Sequence, residues 1–451
     1  MATKDLTDGK PLNLIIHFML PIFVGNVFQM LYNIVDAIVV GRGIGINALG
    51  AIGATSSIIY LVLSFVFAAT QGFSVVLGQR FGAKDYDAVK KSYASSILLS
   101  LLMTVILTIV FAPTVNIFLQ ALNTPLEIFD MASSYLFITF LGIGATVFYN
   151  LSANTLRAIG DSRTPLYFLI LASVLNIILD VLFIFLFKWQ VFSVALSTII
   201  AQAISAILCM GYSYLKFPVL RLSKKDWTTN LGFLYEHIRI GIPMGFQISI
   251  LSIGKVILQF VLNGFGAAAV AAFTTGMRVD QMFFQFYLAL GVTMANYTAQ
   301  NFGANKISRI KEGAKIAISL VSGFTILFVI VLTLFSEPLA ATFMKQPDAQ
   351  IIQMASQYLH SIMIFLFFLG ALLVYRNILQ GVGSVVFPVI SGVAELIARA
   401  ACAIIFAGFF GYAGLCFATP MAWLAGAAVL YGGYRLSLLH NFKRRHKIRN
   451  N

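Results

Sequence analysis

The chain has 451 residues, of which 59% are hydrophobic and 10% are charged, and its mean hydropathy is +0.91. Soluble domains carry about 25% charged residues, so this composition excludes a water-soluble enzyme with a membrane tail. A formal net charge of +14 comes from 30 Lys and Arg against 16 Asp and Glu. In a membrane protein such an excess orients the loops, so we interpret it as a topology signal and not as a nucleic-acid site.

Twelve apolar runs follow one another along the chain. Each is long enough to cross a bilayer as a helix, which takes about 20 residues. None alternates apolar and polar residues as the strands of a membrane β-barrel do. They predict an all-α membrane protein with twelve transmembrane helices, at residues 12–40, 48–79, 90–112, 128–155, 164–187, 191–215, 233–263, 268–299, 313–335, 350–379, 386–409 and 412–439.

The basic residues are distributed unevenly between the two sides of the predicted bundle. Of the 30 Lys and Arg, 22 fall on the side of the N-terminus, the even-to-odd loops and the C-terminus. Three lie on the opposite side (Arg42, Lys188 and Lys345), and five lie in or near helices. The positive-inside rule therefore predicts that both termini are cytoplasmic, with residues 441–451 as a basic tail that anchors this topology.

The two halves of the chain resemble each other. GQRFGAKDYDAVKK after the second run is similar to AQNFGANKISRIKE after the eighth, and LRAIGDSRTP after the fourth is similar to LQGVGSVVFP after the tenth. Pro21 and Pro243 correspond at an offset of 222. Because each half has an even number of helices, the repeat predicts two six-helix lobes related by a pseudo-two-fold axis along the membrane normal. We place the N-lobe at 1–215, a cytoplasmic linker at 216–232 and the C-lobe at 233–440.

A few acidic residues stand within or beside the apolar runs: Asp36, Asp180, Asp280 and Glu395. An ionised carboxylate is expensive in a bilayer, so each is a candidate functional residue. Tyr32 and Asp36 are four apart, as are Asn176 and Asp180, so each pair shares one face of its helix. If the first and fifth helices face each other, the two carboxyls hold a proton near neutral pH, because burial and a second carboxylate favour the neutral form. The alternative is that Asp36 only accepts hydrogen bonds that stabilise helix packing.

The run PIFVGNVFQMLYNIVDAIVVGR, the QRFGA and QNFGA pair, and LRAIGDSRTP followed by an Asn and an Asp four apart together resemble the multidrug and toxic compound extrusion (MATE) family. The resemblance covers essentially the whole chain and is strongest to the bacterial DinF-like and MepA-like branch. It implies twelve helices in two lobes, and export of mostly cationic amphipathic compounds driven by inward flow of protons or sodium ions. It also implies a coupling cluster in the N-lobe, formed by Tyr32, Asp36, Asn176 and Asp180, with Thr198, Tyr135 and Asn154 as further members.

The C-lobe departs from the NorM-like branch of that family, which has acidic sodium-coordinating residues on helices seven and ten. Here these helices carry Lys255, and Tyr375 with Arg376. An ammonium group repels sodium, so the departure favours proton coupling. Glu395 and Arg399 are four apart, and we interpret them as an ion pair within one helix. The candidate substrate-binding residues are Asp36, Met282 and Phe286, the last two four apart on the eighth helix.

These observations predict a monomeric, multi-pass transporter of the bacterial inner membrane that exchanges protons for cationic or amphipathic organic compounds. We expect no cofactor, no resident metal and no nucleic-acid partner. A sodium-coupled antiporter and a lipid-linked oligosaccharide flippase of the same broader fold group remain as alternatives, although the acidic N-lobe cluster argues against the flippase. The sequence has neither GxxxxGK[ST] nor HExxH, which argues against an ATP-driven pump and against a metal-dependent intramembrane enzyme such as a prenyl or glycosyl transferase.

The topology is tested by cysteines introduced next to single loop residues. We expect cysteines beside Lys224 and Lys447 to be protected from a membrane-impermeant thiol reagent in intact cells, and one beside Lys345 to be labelled. The unmodified chain, with its three cysteines in apolar runs, is the control. Labelling at the first two sites with protection at the third would reverse the orientation.

Overall fold

In the computed structural model, residues 5–227, 230–344 and 348–449 are described, and this part of the chain contains fifteen α-helices and no β-strand. The predicted all-α class is confirmed. Lys4, Lys345 and the last two residues of the predicted tail lie outside the described residues. The helices are α1 Pro11–Gly43, α2 Ile46–Gly82, α3 Tyr86–Phe111, α4 Val115–Ala121, α5 Leu126–Leu141, α6 Ile143–Ala158, α7 Arg163–Val181, α8 Phe192–Lys216, α9 Leu231–Asn263, α10 Gly266–Gly303, α11 Ile307–Ala341, α12 Ala349–Met363, α13 Leu366–Gly381, α14 Val386–Cys416 and α15 Ala418–Arg449.

The helices follow the predicted order of spans. Within the described residues, eight helices are long and apolar enough to cross a membrane, and there are ten such spans if two bent helix pairs count as one each. These pairs, α5 with α6 and α12 with α13, stand where the fourth and tenth helices were predicted, and they bend by 48° and 51°. α10 and α15 occupy the places of the eighth and twelfth predicted spans. The chain is therefore a multi-pass membrane protein.

The internal repeat extends to the backbone conformation. Positive φ angles occur at corresponding places in the two halves: Gly45 and Gly266, Lys84 and Asn305, and Gly160 and Gly383. The angles within each pair differ most at the first, 119° against 86°, and agree closely at the second, 61° against 60°. The connections after the second and fourth spans of each half thus make the same turns, as the sequence similarity predicts.

The contacts divide the chain into two compact units. The first consists of Asp5 and Leu20–Gly245, and the second of Leu6–Met19 and residues 246–449. The divisions fall inside α1 and α9, whereas the predicted lobes meet at the linker. Each division lies within two residues of a proline inside the helix, Pro21 and Pro243. Proline removes one helical hydrogen bond, so it weakens a helix at that point.

The first part of α9 is held on α2 by a close backbone approach. A Cβ built on Gly72 would stand 2.4 Å from the Cα of Gly241, so both positions need a residue without a side chain. Nearer the end of α2, Arg80 forms a salt bridge with Glu236 at 2.5 Å, and its guanidinium lies 3.8 Å from the ring centroid of Phe233. These contacts explain why residues 231–245 belong to the first unit.

The N-terminal segment is held on α10 and the turn after it. The Leu6 amide donates to Gln300 Oε1 at 2.9 Å, and Asn301 Nδ2 donates to the Leu6 carbonyl at 3.1 Å. Lys306 Nζ donates to the Thr7 carbonyl at 2.9 Å. Leu6 and Thr7 are both 1% exposed, so this segment is an integral part of the second unit.

The close approach of α2 and α9 predicts a stability difference between two glycines of the same helix. We expect Gly72→Ala to lower the free energy of unfolding by about 1–3 kcal/mol, because the added methyl group meets backbone atoms that cannot move independently. Gly53→Ala is the matched control, since a Cβ there meets nothing within 4 Å. Thermal unfolding of the detergent-purified proteins measures both. Equal stability of Gly72→Ala and the control would contradict the close approach.

Candidate functional site

A buried polar cluster lies between α7 and α8 of the first unit. Asp180 and Asn176, on α7, are 1% and 2% exposed, and Ser197, on α8, is fully buried. The Ser197 hydroxyl donates to Asp180 Oδ1. The helix pair brings these side chains together because Asn176 and Asp180 are one turn apart, as the sequence spacing predicts.

The amide of Asn176 connects the three helices of this cluster. Of the two possible orientations of this amide, one completes the hydrogen bonds of its neighbours. In that orientation Nδ2 donates to Asp180 Oδ2 at 3.1 Å, and Oδ1 accepts from the backbone N–H of Thr198 at 3.0 Å. In this orientation Nδ2 also donates to the hydroxyl of Tyr32 on α1. Tyr32 forms a further side-chain hydrogen bond with Thr198. The predicted members Tyr32, Asn176, Asp180 and Thr198 therefore form one hydrogen-bonded group.

The second carboxyl of the cluster comes from α1. Asp36 is partly exposed, and a side-chain hydrogen bond links its carboxyl group to that of Asp180. A hydrogen bond between two carboxyls requires a proton on one of them, because a carboxylate only accepts. The Oδ1 atom of Asp36 is buried and has no protein hydrogen-bond partner within the described residues. The two carboxyl groups therefore lie within hydrogen-bonding reach of each other in the first unit.

The two remaining predicted members occupy different surroundings. Tyr135, on α5, lies within electrostatic range of both Asp36 and Asp180. Asn154, on α6, takes part in another polar group: its Nδ2 donates to Thr70 Oγ1 at 3.0 Å, and its Oδ1 accepts from Arg157 at 3.0 Å. The hydrogen bonds of Asn154 thus do not reach the carboxyl pair.

Ser197 is a member of the cluster that sequence reasoning missed. It precedes the predicted Thr198 and donates to Asp180 from 17 positions further along the chain. A serine in an apolar run is common, and no spacing relates it to Asp180. Only the rotation of α8 against α7 brings its hydroxyl to the carboxyl.

The two aromatic and sulfur candidates on α10 do not share an accessible face. Met282 is 45% exposed, but Phe286 is 1% exposed and stacks on Phe324 of α11. The expectation that both line a substrate surface is corrected for Phe286, which packs the interior of the second unit. One turn separates the two residues, and the neighbouring helix covers only the second.

The second unit contains a buried ion pair that differs from the predicted one. Glu395 of α14 forms a salt bridge with Arg376 of α13 and accepts from Ser391 Oγ at 2.9 Å. The interpretation of Glu395 and Arg399 as an ion pair within one helix is therefore wrong. Arg399 interacts with Glu395 only through longer-range electrostatics. The side chain of Glu395 turns toward α13 because Gly426 of α15 leaves room for it there.

Within the described residues, no group of three or more His, Cys, Asp and Glu side chains is placed to hold a metal ion. Lys255 is exposed and interacts electrostatically with Asp280 of α10, whose carboxyl forms a side-chain hydrogen bond with Tyr358.

The chain is similar to known transporters along nearly its whole length. The family model described as MatE matches residues 21–182 and 243–405. The probable multidrug resistance protein YpnP of Bacillus subtilis is 28% identical over 444 residues, which cover 96% of this chain and 97% of that protein. The multidrug export protein MepA of Staphylococcus haemolyticus is 25% identical over 369 residues, which cover 81% and 80%. A solved outward-facing structure of a multidrug resistance MATE family transporter shares the fold, with a TM-score of 0.91, 22% identity and coverage of 98% and 99%.

The ion pair of the second unit predicts a large effect of removing one partner. We expect Glu395→Ala to destabilise the protein by about 3–5 kcal/mol, because it leaves Arg376 buried without its carboxylate. Glu337→Ala on α11 is the control, since that glutamate is exposed. Replacing both partners by Met restores most of the lost stability. Thermal unfolding in detergent measures all three, and a Glu395→Ala protein as stable as the control would contradict the pairing.

Proposed function

Because the chain belongs to the MATE family of multidrug and toxic compound extrusion transporters, we propose that it is a secondary multidrug antiporter that exports cationic or amphipathic organic compounds in exchange for protons. The observation that carries this proposal is the hydrogen-bonded carboxyl pair of Asp36 and Asp180. The multidrug resistance and export names of the similar proteins YpnP and MepA support the substrate class.

The carboxyl pair supplies a charge that changes when one proton leaves. With a shared proton the pair carries one negative charge, and without it two like charges stand at hydrogen-bonding distance. The second charge is unfavourable in low dielectric unless a cation neutralises it. A cationic compound and a proton therefore stabilise the same pair and compete for it. Competition for one site makes an exchange, since binding of either occupant promotes release of the other.

The neighbouring side chains give the two carboxyl groups different surroundings. Asn176 and Ser197 donate hydrogen bonds to Asp180, which stabilise its charged form. Asp36 has no such donor on Oδ1 among the described residues and is the more exposed of the two. We therefore assign Asp36 as the carboxyl that meets the compound, and Asp180 as its fixed partner in the pair that shares the proton.

The location follows from the same proposal. A proton-driven exporter needs a membrane that maintains a proton gradient, so we place the protein in the bacterial inner membrane as a monomer with both termini in the cytoplasm. Protons and organic cations are then its transported partners, and no cofactor is needed. Sodium is the alternative coupling ion, because carboxylate, amide and hydroxyl oxygens of the same cluster are hard ligands.

The coupling is tested in proteoliposomes that contain a pH-sensitive dye. We expect ethidium transport under a pH gradient with matching proton movement, and loss of both in Asp36→Asn, because the amide keeps the shape but cannot exchange a proton. Asp180→Asn gives a severe loss. Asp130→Asn is the matched control, an exposed aspartate of α5 in the same unit.

Three results would contradict this assignment. The first is a folded Asp36→Asn protein that transports ethidium at the wild-type rate with unchanged proton movement. The second is loss of wild-type transport when choline replaces sodium at a fixed pH gradient, which would assign the coupling to sodium. The third is loss of transport in Asp130→Asn, which would show a general charge effect.

A further inference from the structure

The second unit contains a buried cationic centre that the proposed coupling cluster does not use. Arg376 of α13 and Arg399 of α14 are 8% and 5% exposed. Arg376 is bound to Glu395, which is 3% exposed. The guanidinium of Arg399 packs against α9 at Gly254, where a built Cβ would stand 2.9 Å from Nη1. The centre thus lies where α9, α13 and α14 meet.

The charges of this centre do not balance. Within the described residues, Glu395 forms its salt bridge with Arg376, and Arg399 has no carboxylate within salt-bridge distance. The other charged side chains near it, Asp280 and Lys255, have opposite signs and interact with each other. Arg399 therefore contributes a positive charge in excess. Burial of an uncompensated guanidinium costs several kcal/mol, so an anion at this point is strongly favoured.

Unpartnered hydrogen-bond donors occur on each of the three helices that meet at this centre. In the described part of the chain, Nε of Arg376, Nε and Nη1 of Arg399, and Nε2 of Gln247 are buried without a protein acceptor. Gln247, on α9, is joined to α13 through Gln380, whose Nε2 donates to its Oε1 at 3.0 Å. Guanidinium and amide N–H groups can only donate, so an acceptor from outside the protein satisfies them. Arginine forks match the oxygens of carboxylate, sulfonate and phosphate groups.

The repeat relates this centre to the carboxyl cluster of the first unit. The offset of 222 that relates Pro21 to Pro243 carries Tyr32 to Gly254, and the offset of 223 that relates Gly160 to Gly383 carries Asn176 to Arg399. In the first unit Tyr32 contacts Asn176, and in the second Gly254 contacts Arg399. The same two positions therefore meet in both units. In the second, an arginine fills the room that a tyrosine takes in the first.

We propose that Arg399, with Arg376, forms an anion-binding site that receives the acid group of an amphipathic organic compound. The site extends the substrate class to zwitterionic and acidic compounds, because it has the opposite charge to the Asp36 and Asp180 pair. That the acid group belongs to a transported compound rests on the proposed efflux function, whereas binding itself does not. A free inorganic anion such as chloride offers the same chemistry.

The site is tested by equilibrium binding of two dyes that share a xanthene ring. Fluorescein is anionic at mildly alkaline pH, and rhodamine 6G is cationic. We expect wild-type protein in lipid nanodiscs to bind both by fluorescence anisotropy, and Arg399→Gln to weaken fluorescein binding by about tenfold or more, as loss of a charge-assisted bidentate contact does. The affinity for rhodamine 6G stays within about twofold. Arg435→Gln is the matched control, an exposed arginine of α15 in the same unit.

A second variant keeps the test decisive if Arg399→Gln does not fold. Gly254→Ala leaves every charge in place but pushes Nη1 of Arg399 from its position. We expect weaker fluorescein binding with unchanged rhodamine 6G binding. Chloride added to about 0.15 M distinguishes the sources. If chloride weakens fluorescein binding more in wild type than in Gly254→Ala, the site holds a free anion, and an equal effect on both proteins assigns it to the acid group of the dye.

Two outcomes would overturn the site. One is wild-type protein that binds rhodamine 6G but not fluorescein, and the other is equal fluorescein affinity in wild type, Arg399→Gln and Gly254→Ala. Failure of the proposed antiport gives a different result: both dyes bind with the expected dependence on Arg399, but the proteoliposomes show no proton-linked transport.

Discussion

A carboxyl group among apolar helices has to be satisfied by other groups of the protein, because lipid offers it no hydrogen bonds. This constraint organises both units of the protein. In the first, Asp180 is satisfied from α8 by Ser197 and joined to Asp36 of α1. In the second, Glu395 of α14 is satisfied from α13 by Arg376. The contacts that join these helices therefore also bring charged side chains together. Both candidate sites lie at such contacts.

The two halves of the repeat have the same backbone arrangement but different charged side chains at equivalent positions. Paired backbone turns, such as those at Gly160 and Gly383, keep the helices of both halves in the same register. On that register the side chains differ in charge, with Asn176 at one position and Arg399 at its equivalent. A carboxyl pair holds a proton or a cation, whereas unpaired guanidinium donors attract an anion. Substitution on a constant framework thus changes the chemistry of a unit without changing how its helices pack.

The division of α1 and α9 between the units follows from their prolines and from the contacts of the segments before those prolines. Residues 6–8 are bonded to Gln300, Asn301 and Lys306, and residues 231–245 pack on α2 through Gly241. Asp36 lies on the part of α1 that belongs to the first unit, past Pro21. The helix that carries the proposed proton site is therefore divided between the two units next to Pro21.

Local features of the sequence determined the all-α class, the order of the spans, the internal repeat and the pairing of Asn176 with Asp180. Composition and residue spacing encode these properties directly, because they act within one helix or one turn. Partners on different helices depended on the tertiary structure. Glu395 binds Arg376 and not Arg399, Ser197 joins the carboxyl cluster, Asn154 bonds to Thr70 instead, and Phe286 is covered by α11. Each of these outcomes depends on how far one helix is rotated against its neighbour, and helical periodicity carries no information about that rotation.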